Sequence, residues 1–183
     1  EYHIDGFRFD LMGLHDVETI NKIREALDKL PGGEKILMYG EPWQGAATAM
    51  KEGFLPAIKD NLQLLNERIA IFNDDTRDSI KGSVFIAKEP GFISGKKGME
   101  DSIKASVQAW CYGASYKPHN PGQTISYVSS HDNYSLWDKL LLTLRESPDF
   151  YAFDSEVLQT NKLSASIIMT CLGIPFFQAG EEG

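Results

Sequence analysis

Three short apolar runs in the sequence each end in a carboxylate. Asp10 closes the first run, Glu41 the second and Asp132 the third. Carboxylates in such places can act as a nucleophile, as a general acid and base, or as ligands of a cation. If the runs are parallel β-strands, their carboxyl ends lie at one face of a barrel, where active sites of that fold are built. The sequence therefore predicts one acidic site assembled from several strands.

The first run alternates aromatic and polar residues. Because alternate residues of a strand share a face, Phe7 and Phe9 should point toward covering helices. Arg8 and Asp10 should then point the other way, so that the guanidinium attracts the carboxylate. A purely structural ion pair explains the same two residues equally well.

The other two runs carry side chains that suit a sugar. Pro42 cannot donate to a sheet ladder, so the second strand must end near Glu41. Trp43 then offers a flat apolar face that suits a sugar ring. His131 directly precedes Asp132, so one can face the centre while the other reaches in from a loop. For either run alone an ordinary turn is a sufficient explanation, and the inference depends on all three runs together.

Competing kinds of site fit less well. A hard cation would need more oxygen ligands than these runs supply, and zinc would need a His or Cys set that the sequence lacks, so no metal site is expected. Neither a Gly-x-Ser-x-Gly nucleophile motif nor a Gly-rich phosphate loop occurs. With a formal net charge of −8 over 183 residues and no basic run, no nucleic acid or membrane partner is expected.

Short apolar runs alternate with amphipathic patterns along the chain, which predicts an α/β fold with a parallel sheet covered by helices. Five strands do not close an eight-stranded barrel, so an open doubly wound sheet and part of a (β/α)8 barrel both fit. The first helix is expected to be capped by Asp16 and to end at residues 31–33. The predicted strands are 4–9, 35–39, 69–72, 124–129 and 174–178, and the other helices are 61–66, 99–112, 136–144 and 157–172.

Two further features concern the cysteines and the ends of the chain. Cys111 and Cys171 each lie in an apolar helical pattern, which favours packing as small hydrophobic residues, while a disulfide stays open. The chain starts at Glu1 directly before one strand-like run and stops at Gly183 directly after another. We interpret it as a piece of a longer protein, whose localisation, secreted or cytoplasmic, the sequence does not give.

The three acidic runs resemble the motifs of a known enzyme family. Residues 5–13, 39–43 and 127–133 resemble the second, third and fourth signature regions of the α-amylase superfamily (glycoside hydrolase family 13), in the same order and with similar wide spacing. The resemblance extends from end to end of the chain. The variants that point more narrowly to type I pullulanases lie in residues 9–13, 41–43 and 136–140, and residues 174–182 are similar to the last barrel strand of that family.

This resemblance implies a (β/α)8 TIM barrel of which the chain is the C-terminal part, about strands 4 to 8. Residues 1–183 would all belong to the catalytic barrel, with the earlier strands and any accessory domains outside the chain. The first signature region has no counterpart here. We therefore expect the isolated chain to be inactive.

The resemblance also implies a role for each candidate residue. Asp10 would be the nucleophile that forms a covalent glycosyl-enzyme intermediate, Glu41 the general acid and then base, and Asp132 the stabiliser of the transition state. The carboxyls of Asp10 and Glu41 should then lie about 5–5.5 Å apart, as in retaining enzymes. Three substrate-binding residues would support them: Arg8 orienting the nucleophile, His131 bonding the sugar and Trp43 stacking in the acceptor region.

The function implied is hydrolysis of α-1,6 linkages in branched α-glucans such as pullulan, amylopectin, glycogen and limit dextrins. No cofactor is expected, and calcium in the full-length protein is left open. Two alternatives stay open as well. One is a relative that cuts α-1,4 bonds, such as a neopullulanase or maltogenic amylase, and the other is a non-catalytic glycan-binding subunit of the same fold.

Overall fold

The computed structural model describes residues 3–112 and 116–181, so Glu182, in the last segment of the family resemblance, lies outside the described residues. The chain divides into two compact units. Unit 1 consists of Glu1–Phe72 and Trp110–Thr124, and unit 2 consists of Asn73–Ala109 and Ile125–Gly183. Each unit has its own buried apolar cluster.

Helical segments separate the strands along the described residues, as the sequence predicts, with a 3-10 helix, Lys59–Leu64, between the second and third strands. The elements are β1 (Gly6–Phe9), α1 (Val17–Asp28), β2 (Leu37–Gly40), β3 (Ile69–Phe72), α2 (Asp74–Lys81), α3 (Glu100–Val107), β4 (Thr124–Ser126), α4 (Leu136–Leu144), α5 (Ser155–Thr170) and β5 (Ile174–Pro175). Among the described helices, none has both the length and the apolarity that crossing a membrane requires.

The strands of unit 1 form a parallel sheet. β2 lies between β1 and β3, with Phe9 of β1 opposite Gly40 and Met38 of β2 opposite Ile69. Its core buries apolar side chains from α1, β2 and β3, and the partly buried Phe9 of β1 packs against it. This core consists of Met12, Ile20, Met38, Ala57, Leu62, Leu65, Ile69, Ile71 and Tyr116.

The strands of unit 2 are also parallel: Ile125 of β4 is paired with Ile174 of β5. Helices α2, α4 and α5 contribute to its core, which consists of Ile80, Ile93, Val128, Leu136, Leu140, Leu141, Val157 and Ile168. The predicted α/β class with parallel strands is thus confirmed, and the alternation of elements fits part of a (β/α)8 barrel.

Several predicted boundaries were too wide. The helix expected at 99–112 ends at Val107, because Ala109 and Trp110 take left-handed conformations with φ of 51° and 57°. Of the helix expected at 61–66, residues 61–64 lie in a 3-10 helix, Lys59–Leu64, and the fourth strand stops at Ser126. In each place the regular backbone conformation ends before the apolar pattern of the sequence does.

The side chains of β1 differ in part from expectation. Phe9 packs against the core of unit 1, with its ring 6.1 Å from that of His15. Phe7 on the same face is 38% exposed. Cys111 and Cys171 are not joined in a disulfide, and burial raises the pKa of both thiols, which agrees with packing as small hydrophobic residues.

Helix α1 begins at the predicted cap. The Asp16 carboxylate accepts hydrogen bonds from the Thr19 backbone N–H and hydroxyl, both at 2.8 Å. These bonds, with the backbone N–H of Thr19 as the largest cause, lower the pKa of Asp16.

We predict that Asp16→Ala in the parent protein weakens α1 by about 1 kcal/mol at neutral pH. Amide hydrogen exchange over Val17–Asp28 should then be roughly fivefold faster, because exchange reports local opening. The wild-type advantage should be complete above the unfolded-state pKa of about 3.9 and should disappear as the pH falls through the lowered folded-state pKa. Asp16→Asn is the control: asparagine caps well, and an equal loss in this variant would argue against capping.

Candidate active site

Strands β1 and β2 bring two of the three predicted carboxylates side by side. Because Phe9 is paired with Gly40, the residues that follow, Asp10 and Glu41, leave the sheet at the same level. The Glu41 N–H also donates to the Phe9 carbonyl at 3.0 Å, which extends the ladder by one bond. A carboxylate oxygen of Asp10 lies within 4.8 Å of one of Glu41.

The Arg8 guanidinium joins these two carboxylates. Its Nη1 donates to Asp10 Oδ1 at 2.6 Å and its Nη2 to Glu41 Oε1 at 2.5 Å. The Cζ atom also lies 5.6 Å from the centre of the Phe72 ring, within the range of a cation–π contact. The planar fork of arginine suits this geometry, since each arm meets a different anion.

The two carboxylates differ in exposure. Glu41 is only 3% exposed, whereas the side chain of Asp10 is 63% exposed. The second oxygen of Glu41, Oε2, accepts a hydrogen bond of 2.7 Å from the backbone N–H of Leu11. Glu41 is therefore held at both oxygens, while most of the Asp10 side chain is exposed to solvent.

Leu11 owes this role to its backbone. It takes a left-handed conformation, with φ of 44° and ψ of 52°, directly before a short 3-10 helix at Met12–Leu14. Sequence reasoning missed both Leu11 and Phe72 as parts of the site. Residue type gives no signal for Leu11, because every residue except proline has the same N–H, whereas the position of Phe72 at the end of an apolar strand was a usable signal.

Close backbone packing holds the loop that carries Trp43. Gly13 donates its N–H to the Trp43 carbonyl at 3.2 Å, and a Cβ at Gly13 would lie 2.7 Å from that carbonyl group. Trp43 is half-buried two residues after Glu41. The glycine therefore sets how closely this loop approaches the turn after β1.

The third predicted carboxylate, Asp132, lies in a turn of unit 2 after β4. Its Oδ1 is 3.3 Å from His131 Nε2, and both side chains are about half exposed. Asn133 is left-handed, with φ of 64°, and Ser135 caps α4 through a 3.1 Å bond from the Asp138 N–H. The ordinary turn considered for this run is present, and in it the side chains of Asp132 and His131 are accessible.

Unit 2 also buries three cations that sequence reasoning missed. Arg77 donates to the Tyr127 hydroxyl at 3.0 Å, and burial raises the pKa of Tyr127 to about 12. Lys81 and Lys139 are each 1% exposed, and burial is the main cause that lowers the pKa of both, to about 8 for Lys81. Lysine is almost never fully buried without partners. Backbone carbonyls are the partners of both lysines here.

The chain is similar over its whole length to known pullulanases, although no family profile matches it. It is 35% identical to the pullulanase of Bacillus subtilis strain 168, covering 100% of this chain and 24% of that protein. It is 42% identical, with a TM-score of 0.85, to a mutant pullulanase of Paenibacillus barengoltzii crystallised with maltotetraose, covering 100% and 27% of the two chains. It is also 33% identical to the type I pullulanase of B. subtilis crystallised with maltose, with a TM-score of 0.84. That match covers 99% of this chain and 24% of the other.

A parallel α/β fold with carboxylates at the ends of its strands, together with this likeness over the whole chain, defines the class. The chain belongs to the pullulanase-type proteins of the α-amylase superfamily, glycoside hydrolase family 13. It spans about a quarter of the length of the B. subtilis relative.

Gly40 offers a test of the packing that places Glu41. A Cβ there would lie 2.8 Å from the Phe9 carbonyl oxygen and 2.8 Å from Met12 Cβ and Sδ. We predict that Gly40→Ala destabilises the parent protein by about 1–3 kcal/mol, the usual cost of overpacking, and accelerates amide exchange in β2. As a control, Gly122→Ala should have little effect, because its Cβ would meet only the Asn120 side chain, at 2.9 Å. Equal effects of the two variants would contradict this explanation.

Proposed function

We propose that the protein to which this chain belongs is a retaining glycoside hydrolase that cleaves α-1,6 linkages in pullulan and other branched α-glucans. The observation that carries the proposal is the Arg8-bridged pair of Asp10 and Glu41. One member is open and the other is buried, as expected of two carboxyls with different tasks. The family to which the chain belongs makes hydrolysis of an α-glucan the natural task for such a pair.

In the proposed reaction Asp10 attacks the anomeric carbon and forms a glycosyl-enzyme intermediate. Its 63% exposed side chain makes it the more accessible of the two acids. Glu41 gives a proton to the departing oxygen and later takes one from the attacking water. Arg8 orients Asp10 throughout, because its Nη1 donates to Asp10 Oδ1 at 2.6 Å.

The other candidates have supporting roles. Asp132 stabilises the positive charge that develops on the sugar ring, and His131 beside it donates to a sugar hydroxyl. Trp43 stacks against the sugar on the acceptor side. These side chains supply a nucleophile, a proton and a stabilising charge, so we propose that the reaction needs no cofactor.

The separation of the two acids supports retention. One oxygen of each acid lies within 4.8 Å of the other acid, which fits the short separation of carboxyl groups, about 5–5.5 Å, in retaining enzymes better than the roughly 6.5–9.5 Å of inverting enzymes. Attack by Asp10 itself is then favoured over attack by a water held between the acids.

The proposed partner is an α-glucan. Similar pullulanases have been crystallised with maltotetraose, and with maltohexaose and α-cyclodextrin together. Preference for α-1,6 bonds is proposed from the pullulanase relatives, since no described contact reads the linkage.

The first test is to digest pullulan and linear amylose separately with the parent protein and identify the products. We expect maltotriose from pullulan and no shortening of amylose. NMR of the first products should show the α-anomer before mutarotation, because retention preserves the configuration. Panose or shortened amylose would indicate an α-1,4-cutting relative, and a folded protein with no product would favour a glycan-binding subunit.

Glu41→Gln should lower turnover of pullulan by at least about 10²-fold, the lower end of what general acid–base catalysis contributes. Glucan binding, measured by calorimetry, should change little, because the amide keeps the size of the buried group. The matched control is Glu18→Gln, an exposed residue of α1 that forms a surface ion pair with Lys22. Full activity of the Glu41 variant would contradict the assigned role.

A further inference from the structure

Lys81, the last residue of α2, is a buried cation that takes no part in the proposed chemistry. It is 1% exposed, and its Nζ donates to the backbone carbonyl of Tyr134 at 3.3 Å. Tyr134 follows Asp132 by two residues. The side chain of Lys81 therefore attaches α2 to the turn that carries the third candidate acid.

A contact from elsewhere in unit 2 would restrain this turn further. Asn133 holds a left-handed φ of 64°, a conformation that asparagine adopts more often than most other residues. The Asp132 N–H makes a long 3.5 Å contact with Ser130 Oγ. His131 and Asp132 are about half exposed, so packing around their side chains restrains them weakly.

Lys139 of α4 makes a second connection, to the segment that follows α2. Its Nζ donates to the carbonyls of Ser83, Ile86 and Ala87 at 3.0, 2.7 and 3.0 Å. These residues lie two to six positions after Lys81 in the chain. One lysine thus extends from the end of α2 to the Asp132 turn, and the other extends from α4 back to the segment after α2.

The buried charge of Lys81 lowers the stability of the folded state, so a contribution to stability does not explain its presence. Burial lowers the pKa of Lys81 most, followed by the cation of Arg77 and, less strongly, that of Lys139. Glu181 and Asp78 act in the opposite direction, and the pKa that results is about 8. Because this pKa lies below the ordinary value of 10.5, the cost to folding is complete below about pH 8 and is relieved as the pH rises toward 10.5. An apolar side chain of similar size would avoid it.

We infer that Lys81 is a positioning residue, which holds the Tyr134 carbonyl and thereby the orientation of Asp132 for the reaction. This inference rests on the proposed function of Asp132. Lys81 touches the backbone of the turn and acts on the reaction only through it.

The test uses the parent protein with Lys81→Met. We expect kcat on pullulan to fall about tenfold or more with KM nearly unchanged, since small misplacements of catalytic groups cost up to about 10²-fold and Asp132 acts in the transition state. The melting temperature should stay the same or rise, because the buried charge is removed. Amide exchange across residues 130–135 should become faster. Lys88→Met, an exposed lysine seven residues on, is the matched control and should change none of these.

The inference is overturned by wild-type kcat in Lys81→Met, by unchanged exchange across residues 130–135, or by a loss of kcat that matches a loss of folded protein. If the methionine variant does not fold, Lys81→Gln, which keeps an N–H donor on a shorter side chain, undergoes the same measurements and the same criteria apply. Exchange and melting are independent of turnover. A wild-type protein that hydrolyses no glucan would therefore overturn the proposed function and the catalytic role of Lys81, while faster exchange would still support the anchoring of the turn.

Discussion

The forked ion pair from Arg8 to Asp10 and Glu41 is the interaction on which the site in unit 1 depends. Two carboxylates within 4.8 Å repel each other by about 3 kcal/mol at an effective dielectric constant of about 20, and by less where water screens Asp10. A guanidinium between them replaces this repulsion with two attractive contacts. Without such a cation, the two side chains would turn away from each other.

The rest of unit 1 can be understood as support for that ion pair. Arg8 reaches Glu41 because β1 and β2 are parallel and in register, so that residues leaving the two strands meet at one level. The approach of β2 to β1 depends on Gly40, where a side chain would collide with the Phe9 carbonyl. The ring of Phe72 on β3 supports the guanidinium from a third strand. Register, a glycine and an aromatic ring thus act together on one cation.

The sequence predicted these features unevenly, for physical reasons. The parallel α/β class follows from the hydrophobic periodicity, the Asp16 cap from residue type, and the placement of Arg8 near Asp10 from their spacing in a strand. All three are local properties of the sequence. The end of α3 at Val107 and the bond from Leu11 depend on left-handed backbone conformations that no residue type there announces. The burial of Lys81 and Lys139 was invisible because their acceptors are backbone carbonyls about fifty residues away in the chain.

The two donors at Glu41 have a consequence for the direction of proton delivery. A carboxylate offers about four lone-pair directions, and Arg8 and Leu11 each occupy one of them, on different oxygens. A proton carried by Glu41 must therefore lie along one of the remaining directions, which point away from both donors. The backbone of Leu11 and the guanidinium of Arg8 together act as a stereochemical guide: they determine from which side a glycosidic oxygen must approach in order to be protonated.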